Sequence, residues 1–133
     1  MITYRQIVEN DIPALFEIRL ATWGNDRGVH EMAALGINHD SVLARLRSDH
    51  AGWIVLVDGK PVGFAMANRS NGELWVIAVR PEFEGRGFGR ALMCQAEAWL
   101  FSHGWKEIWL TTHSEEHHLA VGFYRHLGWV DWK

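Results

Sequence analysis

A mixed α/β domain of the α+β kind, with a mostly antiparallel central sheet, is what this chain of 133 residues predicts. Three observations carry that expectation. Residues 51–67 read as a hairpin, in which Trp53-Ile54-Val55-Leu56-Val57 and Pro61-Val62-Gly63-Phe64-Ala65-Met66-Ala67 flank the turn pair Asp58-Gly59. Leu74-Trp75-Val76-Ile77-Ala78-Val79 is a short run rich in β-branched and aromatic residues, as a buried strand is. After a glycine-rich turn, apolar side chains recur at Phe88, Ala91, Leu92, Ala96, Trp99 and Leu100, the one-face spacing of a helix. The length predicts a single domain over 1–133, enough to bury a core and too short for two.

Residues 2–7 alternate as a strand. Asn10-Asp11-Ile12-Pro13 then starts a helix, with Asp11 as N-cap, Pro13 in the first turn, and Ile12, Leu15, Phe16, Arg19 and Leu20 on its amphipathic face. The stretch 23–40, opening on Trp23-Gly24-Asn25-Asp26-Arg27-Gly28, has weak periodicity, and a second helix over 41–47 is capped by Asp40 or Ser41. Asp58-Gly59 predicts a type I′ hairpin, and Asn71-Gly72 a second such turn into the strand that Glu73 opens. Period-two alternation puts Glu73, Trp75 and Ile77 on one face of that strand. The long helix from Phe88 ends at Gly104, a fifth strand runs over 105–112, a fourth helix over 116–127 stops at Gly128, and a sixth strand begins over 129–132. The expected order is β-α-α-β-β-β-α-β-α-β.

The formal charge of −3 carries no basic excess of the kind a general nucleic-acid binder shows. A single cysteine, Cys94, cannot form an internal disulfide, and no leader or apolar span of ~18 residues is present. The expectation is a soluble, cytoplasmic protein with neither nucleic acid nor membrane as partner. Most of the eight tryptophans, Trp53, Trp75, Trp99, Trp105 and Trp109 among them, fall inside apolar runs and read as core or pocket wall.

Between strand and helix stands Val79-Arg80-Pro81-Glu82-Phe83-Glu84-Gly85-Arg86-Gly87-Phe88-Gly89-Arg90-Ala91. Glycines at every second position leave backbone N–H groups unshielded at the positive end of a helix dipole, an anion cradle suited to phosphate or pyrophosphate. A tight bend alone would also use such glycines. A P-loop is excluded, because Gly89 is followed by Arg90-Ala91 and not Lys-Ser/Thr, and a dinucleotide fingerprint is excluded because only Phe88 separates Gly87 from Gly89.

This spacing resembles motif A of the GCN5-related N-acetyltransferases (GNAT), whose loop reads Gln/Arg-x-x-Gly-x-Gly/Ala after a strand ending in Val-x-Pro. Here the loop is Glu84-Gly85-Arg86-Gly87-Phe88-Gly89 after Val79-Arg80-Pro81. Ile108-Trp109-Leu110-Thr111-Thr112 looks like the family's fifth strand. Ala120-Val121-Gly122-Phe123-Tyr124-Arg125-His126-Leu127-Gly128-Trp129 resembles its A-x-x-F/L-Y-x-x-x-G-F segment. The likeness covers 73–129, about the C-terminal half. It implies acetyl-CoA as cosubstrate, no metal, and transfer of an acetyl group to a primary amine of a small molecule or peptide by direct attack in a ternary complex. A CoA-binding sensor or regulatory module that keeps the cradle without turnover is the rival reading.

By the same resemblance the diphosphate sits on the backbone of Gly85, Arg86, Gly87, Phe88, Gly89 and Arg90. The pantetheine arm lies along Ile77, Ala78 and Val79, where a backbone N–H polarises the acetyl carbonyl, and His117 stands where the family often has an asparagine that bonds this arm. Glu84 departs from the family's Gln or Arg; its carboxylate either turns to solvent or weakens affinity. Glu73 resembles the general base of the histone-acetylating branch, useful because an alkylamine of pKa ~10.4 is mostly protonated at neutral pH. A solvated strand-end glutamate, with ordered water doing the work, is the other reading. Tyr124 resembles the family's acid, a phenol of pKa ~10 that can protonate a thiolate whose conjugate acid lies near ~8.5. It also falls on the apolar stripe Ala120, Phe123, Tyr124 and Leu127 and could be a core aromatic.

Acceptor recognition in the family falls largely to the first two helices and their connection, where Trp23, Asn25, Asp26, His30 and Glu31 set an aromatic beside carboxylates, which suits a small cationic amine; solvated loop surface is the other reading. His113, His117 and His118 cluster without a further ligand element, and Cys94 reads as an inert residue of the long helix. Family members usually continue to a seventh strand, whereas this sequence stops at Lys133, so the expectation is either an abbreviated end or a sequence cut short of it. The unfilled edge predicts a homodimer through the C-terminal side of the sheet.

Overall fold

In a computed structural model of the chain, residues 1–23 and 36–110 are described. Their elements are strand β1 (Ile2–Gln6), helix α1 (Ile12–Trp23), helix α2 (His39–Arg47), strands β2 (His50–Val57), β3 (Lys60–Asn68) and β4 (Glu73–Val79), and helix α3 (Phe88–Ser102). The strands form one antiparallel sheet in the order β1-β2-β3-β4. The mixed α/β architecture follows the expected order through α3. The predicted fourth helix, sixth strand and dimer edge lie outside the described residues.

Helices cover both faces of the sheet, and strand alternation sorts the side chains between them. Trp53 and Val55 of β2, Val62, Ala65 and Ala67 of β3, and Leu74 of β4 pack with Phe88, Leu92, Met93, Ala96 and Leu100 of α3. On the other face Ile54, Phe64, Met66 and Ala78 meet Ile12, Leu15 and Ile18 of α1 and Val42 of α2. The fully buried Leu92, Met93, Ala96 and Leu100 lie one helical turn apart in pairs, which anchors α3 and so places its N-terminus beside the end of β4. Removing one such leucine to alanine costs about 2–5 kcal/mol.

Asp58 and Gly59 take φ of 50° and 83°, as the predicted type I′ turn demands. Asn71-Gly72 does not form a second one. Only Gly72 has positive φ, the turn runs over residues 69–72, and Asn68 organises it by accepting from the Ser70 N–H at 2.8 Å. Tertiary packing presses on this turn, since a Cβ on Gly72 would stand 3.0 Å from the Trp105 ring.

Helix starts also differ from expectation. The cap of α2 is Asn38, whose side chain accepts from the Ser41 N–H while the Ser41 hydroxyl accepts from the Asn38 N–H, both at 2.9 Å. Asp11 is not the cap of α1. It closes a 3-10 turn over Glu9–Asp11 and accepts from both Arg5 guanidinium nitrogens at 2.7 and 2.8 Å and from the Val8 N–H at 2.8 Å. On α1 the buried positions include Ile18, while Arg19 and Leu20 are only half-buried.

Residues 105–110 carry one bridge rather than a ladder: Trp109 pairs in parallel with Glu73, accepting from the Leu74 N–H at 2.8 Å and donating to the Gly72 carbonyl at 3.2 Å. Trp109 is exposed, with its indole N–H on the Asn71 carbonyl, so it belongs to neither core. Among the described residues no helix is long and apolar enough to cross a membrane.

Candidate active site

The C-terminal end of β4 leads through a 3-10 turn (Pro81–Phe83) into the glycine loop. Gly85 and Gly87 hold φ of 79° and 86°, the left-handed region that a side chain disfavours, and no atom of the described residues lies within 4 Å of the place a Cβ would occupy at either. Gly87 is the N-cap of α3, no side chain caps that helix, and no acidic residue sits in its first turn. Its first N–H groups are thus without a side-chain acceptor among the described residues, at the positive end of a 15-residue helix. Arg86, its guanidinium 5.0 Å over the Phe83 ring, and exposed Arg90 add positive charge. Such a cradle fits a polyanion. Glu84 is exposed beside it. Phe88 is buried in the core against Phe83 and Leu92, so of the predicted contacts this one is left to its backbone alone.

Arg80 ties this end down. Its N–H donates to the Val62 carbonyl at 2.8 Å, its Nε to the Pro61 carbonyl at 3.0 Å, and Nη2 lies 3.8 Å from the Glu17 carboxylate of α1. With the Arg80 amide turned toward β3, alternation turns the amides of Ile77 and Val79 outward and that of Ala78 inward. No strand pairs with that outer edge over 76–79 among the described residues. Of the three residues expected to receive an extended arm, Ile77 and Val79 offer backbone groups to it.

Upstream, Met66 pairs with Val76 but Ala67 pairs with Leu74, so Trp75 is the extra residue of a β-bulge. The bulge corrects the predicted alternation. Leu74, Ile77 and Val79 face α3, whereas Trp75, Val76 and Ala78 face α1 and α2. Glu73 thus shares a face with Trp75 but not with Ile77.

Glu73, at the far end of β4 and roughly 20 Å along the strand from the glycine loop, is half-buried. Burial pushes its carboxyl above the ordinary value, against the pull of the Asn71 side chain and the Arg45 charge. Beside it the Arg45 guanidinium stands 4.4 Å over the Trp75 ring. His50 meets the same ring edge-on at 5.2 Å. The His50 Nδ1 donates to Asp49 at 2.8 Å, since an ionised carboxylate only accepts. Burial lowers the His50 pKa in spite of Asp49, keeping the imidazole neutral at neutral pH.

Strand β4 therefore joins an anion cradle, an edge that is unpaired over 76–79 among the described residues, and a half-buried carboxylate into one line. Tyr124, His117, Asn25, Asp26, His30 and Glu31, together with His113 and His118, lie outside the described residues, and Trp23 is placed as the last residue of α1. Cys94 is free and exposed on α3. Among the described residues no group of three or more His, Cys, Asp or Glu side chains could hold a metal ion. Sequence reasoning missed Arg45, His50 and Arg80; for Arg80, only its place directly after the strand could have marked it.

Residues 12–129 match the family model described as the acetyltransferase (GNAT) family. A mycothiol acetyltransferase of Actinosynnema mirum is 34% identical over 90 residues, 64% of this chain and 30% of that protein, so the chain spans about a third of that relative's length. An aminoglycoside N-acetyltransferase, AAC(6')-Iy, solved in complex with CoA, superposes with a TM-score of 0.77 at 22% identity, over 100% of this chain and 90% of that one. The PaiA N-acetyltransferase of Thermoplasma acidophilum, solved in complex with coenzyme A, has a TM-score of 0.77 at 18% identity, over 95% and 88%.

Proposed function

Because this chain belongs to the acetyltransferase (GNAT) family, we propose that it is an acetyl-CoA-dependent N-acetyltransferase whose acceptor is a primary amine of a small molecule or peptide, attacking directly within a ternary complex. The observation that carries the reading is the glycine-led N-terminus of α3, without a side-chain cap among the described residues, set at the end of a strand edge that no described strand pairs over 76–79. A coenzyme with a diphosphate at one place and a thioester beyond an amide-bearing arm suits a cradle and a carboxylate at opposite ends of one strand.

Bound acetyl-CoA supplies an activated acyl group as its thioester. The backbone N–H groups of Gly85 through Arg90 hold the diphosphate, and the outward amides of Val79 and Ile77 hold the arm. Ile77, the first outward amide past the bulge, is the donor placed to stabilise charge on a carbonyl oxygen. Glu73 takes a proton from the acceptor ammonium; its pKa, raised by burial, makes it a better base than an ordinary carboxylate. Tyr124 protonates the departing thiolate, and His117 contacts the arm. Trp23, Asp26 and Glu31 belong to the acceptor side. A single cytoplasmic domain, paired with a second copy through its C-terminal sheet edge, completes the reading.

The test is a calorimetric titration with CoA and acetyl-CoA, run beside a thiol-release assay over a panel of amines. Affinity for CoA together with amine-dependent thiol release supports the proposal. Absence of any CoA affinity overturns it, and affinity without release for any amine leaves a CoA-binding sensor.

A further inference from the structure

The acceptor's own chemistry is legible at the Glu73 end of β4. We propose that Arg45 is a specificity residue that binds a carboxylate of the acceptor, so that the preferred substrates are amines carrying a carboxylate group, amino acids or peptide-like acids, rather than polycations. This rests on the acetyltransferase reading above for where the amine goes, and on three observations of its own for where the acid goes.

Arg45 is half-buried on α2, and its guanidinium hydrogen-bonds to none of the described residues. A guanidinium carries N–H donors in a planar fork matched to a carboxylate. Its Cζ lies 4.4 Å over the centre of the Trp75 ring, which holds the head group against that face, and among the described residues no acceptor takes its N–H groups. Among the described residues the titratable groups that feel its charge are Glu73 from β4 and His50 from β2, with Asp49 held by its bond to His50. A neutral His50 neither competes for an acid nor repels one.

Among the described residues the site thus presents one anion and one cation side by side, the complement of a molecule that carries an ammonium and a carboxylate. The Trp75 face beside Glu73, which could otherwise cage an ammonium, is already covered by Arg45. A second or third positive charge on the acceptor would meet that guanidinium. Polyamines and aminoglycosides are therefore disfavoured.

Two readouts test this on the full chain. Thiol release is measured with amino acids and with their amides as matched acceptors. Separately, the N-acetylated amino acids and their amides are titrated into the CoA-loaded protein by calorimetry, which needs no turnover. The expected result is at least a tenfold preference for the acid over the amide in kcat/KM and in affinity. Arg45→Met should abolish that preference by weakening the acid alone, and Arg45→Lys should restore part of it. Equal affinity for acid and amide in the wild type, or a preference untouched in Arg45→Met, overturns the proposal. Selective acid binding without any thiol release would instead leave Arg45's role standing and defeat the enzymatic reading.

Discussion

The two ends of β4 do different kinds of work with different materials. At the C-terminal end the cradle is made of backbone: left-handed glycines and the uncapped start of α3, with side chains of Arg86 and Arg90 at the margin. At the N-terminal end the site is made of side chains that meet from separate elements, Glu73 from β4, Arg45 from α2 and His50 from β2. A backbone site tolerates changes of side chain but not of conformation. A side-chain site is the reverse, and each of its parts can be removed singly.

The largest expected effect lies at the side-chain end. Glu73→Gln should lower kcat by about 100-fold or more, within the range of a lost general base, while calorimetry finds CoA affinity unchanged. The same carboxyl sets the pH profile. Because its pKa is raised, kcat/KM should fall tenfold per pH unit on the acid side, starting above the ordinary carboxylate value, and the Gln variant should lack that limb. Stability runs the other way. A carboxyl whose folded pKa exceeds its unfolded one holds its proton more tightly when folded, so ionising it costs stability, in full above the folded pKa and not at all below the unfolded one. Glu73→Gln should therefore melt slightly higher than wild type at neutral pH, and an equal or lower Tm would contradict the burial described for Glu73.

Next comes the backbone end. Gly87→Val forces a β-branched residue into φ of 86° and should weaken CoA binding by roughly 10- to 100-fold, corresponding to about 1–3 kcal/mol of strain. An undiminished affinity would show that the loop is a bend and not a cradle. Arg80→Met tests how far that end depends on a side chain. Losing the bond to Pro61 should cost about 1–2 kcal/mol, read as a several-fold rise in KM for acetyl-CoA with kcat little changed. Smallest of all, Cys94→Ser on the exposed side of α3 should shift stability by less than about 0.5 kcal/mol and leave turnover unchanged; a large loss of rate would reopen a covalent route.

The fold was legible where conformation is local. Asp58-Gly59 and the Gly85 and Gly87 loop were readable because only certain residues enjoy positive φ, so the residue type reports the backbone directly. Asn71-Gly72 misled because its turn is governed by Asn68 and pressed by Trp105, one outside the dipeptide and the other far along the chain. Helix α2 began earlier than expected because either Asn38, Asp40 or Ser41 could have capped it, and only the reciprocal bonds chose among them. The shared face of Glu73, Trp75 and Ile77 failed at the bulge, which depends on how Met66 and Ala67 pair with the neighbouring strand. Arg45 carried no signal at all, since an arginine in a short helix reads as solvent-facing.

By itself, the sequence determined the order of elements, the hairpin, the glycine loop and, through its motif, the family, because each of these is set by residues that lie next to one another. Only the tertiary structure decided which way the amides of β4 point past Trp75, and which charges stand beside Glu73. Those depend on strand register and helix packing, where partners dozens of residues apart are brought into contact, and nothing in the local chain specifies such a meeting.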